Sequence, residues 1–315
     1  MLNRLNSQGN IMKITIKRTA LSLLLASAVL APLASGFAAE GDVPFRAAVK
    51  ASADPALHNS LPEAIKKAGY IVAGTNPNTP PTTFYEADNK TLAGREIDVM
   101  SAIADRLGVA IHWKDTGGFD NIIPGLKSGR YDVALANIDA NKKRFQQVDF
   151  VGYYNASKLA LIARKDAALG PYTDLAQLCG QTVGAGAGTS QITRLQQASE
   201  QCVSGGKPAI VIPIFPDRPA GVQAVISGRV PMFFGPYEGL RYQATHVKPL
   251  ALAGDINIEG TTVAIALPKG SELVKPVQAA LNSLIADGSY QKILDGWDIG
   301  FGAVKTAGIN EEIAK

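Results

Sequence analysis

Phe119 to Tyr154 reads FDNIIPGLKSGRYDVALANIDANKKRFQQVDFVGYY. Ile122, Ile123 and Leu126 share one face of a short helix, Ser128-Gly129 stops it, and Asp132 to Ile138 follows as an apolar strand. A helix that turns directly into a buried strand is the repeating unit of an α/β sheet. Asn137, Asp139 and Arg144 fall at the carboxyl end of that strand, and ligands of open α/β sheets bind outside this edge. Arg144 is therefore a candidate anion clamp, because a planar guanidinium matches a carboxylate through paired bonds. The alternative is a solvated member of the Lys142-Lys143-Arg144 charge run.

The same alternation continues on both sides. Ile71 to Thr75, Ile111 to Lys114, Lys158 to Arg164, Thr182 to Ala187, Ala209 to Phe215, Val230 to Phe234 and Thr262 to Leu267 read as further strands. Met100 to Leu107, Ser190 to Ala198 and Val277 to Ile285 read as helices between them, which predicts parallel sheets. The chain is long for one such sheet, so two lobes are the simpler arrangement. Residues 39–60 and the tail after Gly302 have no clear period, and Leu61-Pro62-Glu63-Ala64-Ile65 opens a first helix.

The beginning of the chain reads differently. Lys13, Lys17 and Arg18 precede an apolar run from Leu21 to Leu33 and a small-residue site at Gly36-Phe37-Ala38. This is the pattern of a secretory signal peptide cleaved near Ala38, with Met1 or Met12 as the start. Residues 1–38 hold four cations and no acidic group, so their removal takes the formal charge from +4 to zero. A balanced mature chain gives no electrostatic reason to expect nucleic acid or an anionic membrane as partner. Cys179 and Cys202 fit an exported protein, in which they pair across a short loop; free thiols are the alternative. No cysteine lies beside the cleavage site, which favours a free periplasmic protein over a lipid-anchored one.

The quoted stretch resembles the family 3 extracellular solute-binding proteins, the amino-acid receptors of ABC importers. The resemblance lies in Ser128-Gly129-Arg130-Tyr131-Asp132-Val133, Arg144, Val148-Asp149-Phe150 and Tyr153-Tyr154. Further pieces follow in the family's order: Gly94, Ile97-Asp98, Met100, Ile103, Leu107 and Gly108; the glycine-rich turn from Val183 to Gln191; and Asp287-Gly288-Ser289-Tyr290 with Trp297. Together they span roughly residues 66–300. The resemblance implies a monomeric type II periplasmic binding protein, α/β in class, whose chain crosses between its lobes twice. The boundaries it suggests are 66–156 plus 266–300 for the first lobe and 160–263 for the second. Residues 39–65 then form an arm and first helix, and 301–315 a tail.

The resemblance also implies site residues. Arg144 matches the arginine that grips a ligand carboxylate. Gly186 to Ser190 is a glycine-rich turn opening a helix, where free N–H groups attract an anion and Thr189 or Ser190 contributes a hydroxyl or only a cap. Asn76, Thr79 and Phe84 follow the first strand, in a loop where the family carries an acid and a stacking aromatic; Phe84 or Tyr85 would replace the aromatic. The departure in the second lobe is larger. Ser227-Gly228-Arg229-Val230 begins a familiar element, yet Pro231 and Pro236 occupy the places of its two aspartates. The second normally holds the ligand's ammonium, so Glu238 or Asp139 would have to supply that carboxylate.

His58, His112 and His246 have no metal-ligand spacing, and neither a nucleophile elbow nor a P-loop occurs. The sequence thus predicts a receptor with no cofactor or metal, a carboxylate-bearing solute as ligand and an ABC permease as partner. The rival is a cyclohexadienyl or arogenate dehydratase on the same fold, with Glu238 or Asp139 as general acid. A sensory input module would need a membrane span, and no second apolar run is long enough.

Overall fold

A computed structural model describes residues 49–314. The signal-peptide reading of 1–38, and residues 39–48 of the expected arm, lie outside the described residues. The remainder of that arm is structured. Asp54 caps a short helix α1 (Pro55–Asn59), and α2 (Glu63–Ala68) begins where Pro62-Glu63 predicts and ends at Gly69. Ala51 and Leu61 are buried against the first core, which the weak sequence period did not reveal.

Next come β1 (Tyr70–Thr75) and a small meander of β2 (Asn78–Thr79), β3 (Thr83–Tyr85) and β4 (Leu92–Ala93). Helix α3 (Arg95–Leu107) buries Ile97, Met100, Ile103 and Leu107 at helical spacing. Gly94 precedes it because the Thr82 carbonyl passes so close that an added Cβ would lie 2.3 Å from it. After β5 (Ala110–Asp115), the stretch that opened the reading gives α4 (Ile122–Lys127), β6 (Val133–Asp139) and a single turn α5 (Lys142–Phe145).

The following strand is longer than its sequence suggests. β7 runs from Val148 to Arg164, not only from Lys158. The second lobe then adds β8 (Val183–Gly186), α6 (Ser190–Ser204), β9 (Ile214–Phe215), α7 (Arg218–Ile226), β10 (Met232–Pro236) and α8 (Tyr237–His246). The expected strand from Ala209 shrinks to β9 and one isolated bridge at Val211. A second long strand, β11 (Leu250–Pro268), leads back to α9 (Val274–Ala286) and α10 (Ser289–Gly296).

The main sheet has eight strands in the order β5-β1-β6-β11-β7-β10-β8-β9. Each end is parallel, as the alternation predicts, but β7 and β11 pair antiparallel to each other along their length. Their register shifts between Asn257 and Thr261, opposite Lys158 and Ala156. On one side of this irregularity the strands join a core containing Val133, Leu135, Val151, Val263 and Ile265. On the other they join one containing Leu159, Leu161, Val183, Met232 and Phe234. The architecture is therefore two α/β lobes threaded by two common strands. Ala160 and Ile162 face away from Leu159 and Leu161 into a further cluster, so β7 is buried on both faces there and reads as a continuous apolar run.

Cys179 and Cys202 are joined, fastening α6 to the turn before β8, a link worth about 3 kcal/mol in the chain-entropy account. The expected tail also has structure. The Gly308 carbonyl accepts from Gly152 N–H at 2.8 Å, Asn310 Oδ1 accepts from Phe150 N–H at 2.9 Å, and Ile313 is buried. No helix among the described residues is long and apolar enough to cross a membrane.

Candidate functional site

The carboxyl ends of β1, β6, β8, β9 and β10 converge on a cleft of about 620 Å³, part of it open to solvent. Asn76, Asn78, Thr79, Asn137 and Asp139 contribute from the first lobe. Thr189, Gln191, Asp217, Arg218 and Pro236 face them from the second. Phe119, Phe233 and Phe234 supply its apolar walls.

Asn137 takes a left-handed conformation, φ 54°, at the end of β6. That costs on the order of 1 kcal/mol for a residue with a Cβ, and two bonds compensate. Its N–H donates to Glu96 Oε1 at 2.6 Å, and its Oδ1 accepts from Arg95 Nη2 at 2.6 Å. Both partners are fully buried at the start of α3. The Tyr153 hydroxyl also donates to Glu96, and the Arg95 guanidinium lies 4.5 Å from the centre of the Tyr154 ring. Burial pushes the Glu96 carboxyl above the usual range, against the opposing pull of Arg95, Tyr153 and the Asn137 N–H. Burial disfavours the Arg95 charge as well, but the surrounding oxygens overcome it and raise its pKa above the ordinary arginine value.

Asn141 caps α5 by accepting from Arg144 N–H at 2.9 Å, which aims the arginine side chain back at the strand end. Arg144 is only 7 % exposed, so it is not the solvated end of a charge run; Lys142 and Lys143 are. Nor is it an open clamp. Nη1 donates to the Asp139 carboxylate and, at 3.0 Å, to the Asp139 carbonyl, while Nη2 donates to the Gly188 carbonyl at 3.1 Å. Its face covers the Phe119 ring at 5.1 Å. Burial would raise the Asp139 carboxyl, but the Arg144 charge and the bonds from Asn141 and Arg144 prevail and hold it below the usual carboxylate range.

The glycine-rich turn meets Arg144 through a carbonyl, where the sequence predicted N–H groups open to an anion. The Thr189 hydroxyl donates to the Gly186 carbonyl at 2.7 Å, and Thr189 lines the cleft. Ser190 begins α6 outside the cleft wall. Asn76 and Thr79 line it as expected, whereas Phe84 turns inward from β3 and packs edge-on against Trp297, ring centres 6.1 Å apart. Glu238 is also withdrawn. It is buried on the first turn of α8 and accepts from the Tyr154 hydroxyl at 3.0 Å.

Sequence reasoning missed Arg218. The signal was present, because Asp217-Arg218-Pro219 directly follows a strand and opens a helix, with Asp217 accepting from Ala220 N–H at 2.8 Å. It also passed over Phe119, inside the quoted stretch, and Asn78 and Gln191, each within two residues of a chosen position. The three histidines have structural surroundings: His58 and His246 bond to the carbonyls of Leu107 and Tyr242, and His112 stacks on Tyr70. No group of three or more metal-ligating side chains occurs among the described residues.

Residues 71–301 match the family model of the bacterial extracellular solute-binding proteins, family 3. The chain belongs to that family. This family 3 protein is 26% identical over 261 residues to the arginine-binding protein ArgT of Corynebacterium glutamicum, covering 82% of this chain and 84% of the relative. It is 27% identical to the L-cystine-binding protein TcyA of Bacillus subtilis, over 78% of this chain and 87% of the relative. Among solved structures it resembles an ancestral arginine-binding protein bound to arginine, with TM-score 0.65, 29% identity, and 73% and 98% of the two chains covered. The two-lobe fold is thus that of type II periplasmic binding proteins, and the family and these relatives are binding proteins.

Proposed function

We propose that this chain is the monomeric periplasmic receptor of an ABC importer, and that it closes two lobes around an amino acid or an amino-acid derivative bearing a carboxylate. In this reading residues 66–156 plus 266–300 move against 160–263, and the closed form presents the loaded cleft to a permease. The observation that carries it is the cleft itself, polar at the strand ends of both lobes and aromatic on its walls, in a chain whose relatives bind arginine and cystine. Contacts made from both lobes at once exist only when the cleft is closed, so ligand favours closure by its differential affinity.

The dehydratase reading draws less support. Of the two carboxylates available to it, Asp139 is held ionised by Arg144 and so lacks the proton a general acid must donate at neutral pH. Glu238 is turned into the protein against Tyr154.

The test begins with protein stripped of solute by unfolding and refolding, then melted with free amino acids, N-substituted amino acids and amine-free carboxylates. A ligand at a hundred times its Kd should add about 2.7 kcal/mol to stability, plainly visible in the melt. No shift with any of the three sets, or turnover of prephenate or arogenate, would overturn the receptor reading.

A further inference from the structure

We infer that the ligand's carboxylate is received in this protein by Arg218 of the second lobe, and that Arg144 serves as an internal latch between the lobes. This inference rests on the receptor reading above.

Arg144 has little left to offer an anion. Both Nη1 bonds go to Asp139 and an Nη2 bond goes to Gly188, its face is covered by Phe119, and its side chain is 8 % exposed. Taking Asp139 from it breaks a buried ion pair before a ligand gains anything. The ion pair is neutral as a unit, so it exerts little attraction on an incoming carboxylate.

Arg218 is in the opposite state. It lines the cleft, and among the described residues it has no hydrogen bond or ion pair. Nη1 is sealed from solvent without a partner and lies against Gly239, where an added Cβ would be 2.1 Å away. The charges around it are Glu238 and Glu96, which attract, and Arg95, which repels. Burial outweighs that attraction and pushes the guanidinium down to about 10. A cation whose desolvation is only partly offset by those carboxylates, and whose Nη1 has no acceptor, is costly, and an anion bound in the cleft would offset that cost. One residue earlier, Asp217 keeps a carboxylate at the cleft. Across from it, α7 packs against β2, where the buried Asn78 Oδ1 has no donor. A carboxylate on Arg218 with a ligand N–H directed at Asn78 and Asp217 satisfies all three. This also explains how the cleft reads an amine although Pro236 stands where the family has an acid.

The experiment compares each acid with its amide. Refolded, solute-free protein is titrated calorimetrically with L-arginine, L-cystine and L-glutamine, then with the carboxamide of the tightest binder. Wild type should prefer the acid by about a hundredfold, equivalent to about 2.7 kcal/mol. Arg218→Met should reduce this preference to below about tenfold, with Arg218→Lys intermediate. Arg144→Met should weaken acid and amide alike and leave their ratio intact. A second readout excludes a merely structural role: solute-free Arg218→Met should melt at or above wild type, since an unpaired buried charge has been removed. A preference that survives Arg218→Met, one that disappears in Arg144→Met, or a clear drop in the solute-free melt of Arg218→Met overturns the inference. If wild type binds none of the three, the amino-acid receptor reading fails first and this inference with it.

Discussion

At the scale of single residues, position 139 decides what Arg144 does. A short neutral side chain there would remove the ion pair and leave Arg144 its bonds to the Asp139 and Gly188 carbonyls, whereas aspartate neutralises it from two residues beyond Asn137. The pair has a pH signature. Asp139 titrates below its unfolded value, so its contribution is complete above about pH 4, the unfolded carboxylate range, and is lost as pH falls through the folded value. Urea denaturation should therefore show wild type losing stability on acidification in that window, while Asp139→Asn starts about 3 kcal/mol lower at pH 7 and loses less below pH 4. Equal acid slopes for the two proteins would show that the pair does not contribute as described. The residues at this strand end were legible in the sequence, because strand termination and capping are local. Which acceptor Arg144 would choose was not, since Asp139, a ligand and the Gly188 carbonyl compete across 44 residues of chain. Phe84 failed for a related reason: alternation puts an aromatic on one face of a short strand without saying which face is the core.

At the scale of elements, the first turn of α3 is the least expected. A buried Arg95-Glu96 dipeptide opens the helix and fixes Asn137 through both side chains, so a cleft residue is positioned from outside the cleft. Replacing one member should expose the cost of the other. Arg95→Met leaves Glu96 buried with only the Tyr153 hydroxyl and the Asn137 N–H, and should lower stability by about 3–5 kcal/mol at pH 8. Because burial already raises the Glu96 pKa, the folded variant takes up a proton more readily than its unfolded chain, and the deficit should shrink as pH falls to about 5.5. A deficit constant between those pH values would mean that Glu96 is not the group left uncompensated. The sequence exposed the amphipathic face of α3 clearly, but charge at its first turn reads as ordinary helix-start chemistry. The long strands β7 and β11 were half legible for a different reason. Each passes from one core into another, and its pattern breaks where the register shifts between Asn257 and Thr261.

At the scale of the whole molecule, the lobes meet where the glycine-rich turn touches the first lobe. Gly188 has φ 72°, and a Cβ there would lie 3.0 Å from the Asp120 Cβ and 3.1 Å from its Cα. The same residue offers its carbonyl to Arg144. Alanine at 188 should therefore act twice: through left-handed backbone strain of about 1–2 kcal/mol in open and closed forms alike, and through a contact that exists only when the cleft is shut. Gly206 separates the two effects, since it has φ 73° and nothing within 4 Å of an added Cβ. Both Gly188→Ala and Gly206→Ala should lose stability in urea, but only Gly188→Ala should bind more weakly, by about tenfold. In small-angle scattering, saturating ligand should contract Gly206→Ala as it does wild type and contract Gly188→Ala less. Closure by rigid lobes over two shared strands requires this difference, because each contact at the rim is made or lost as a unit. If the two alanine variants bind alike, the turn at Gly188 is not where the lobes seal.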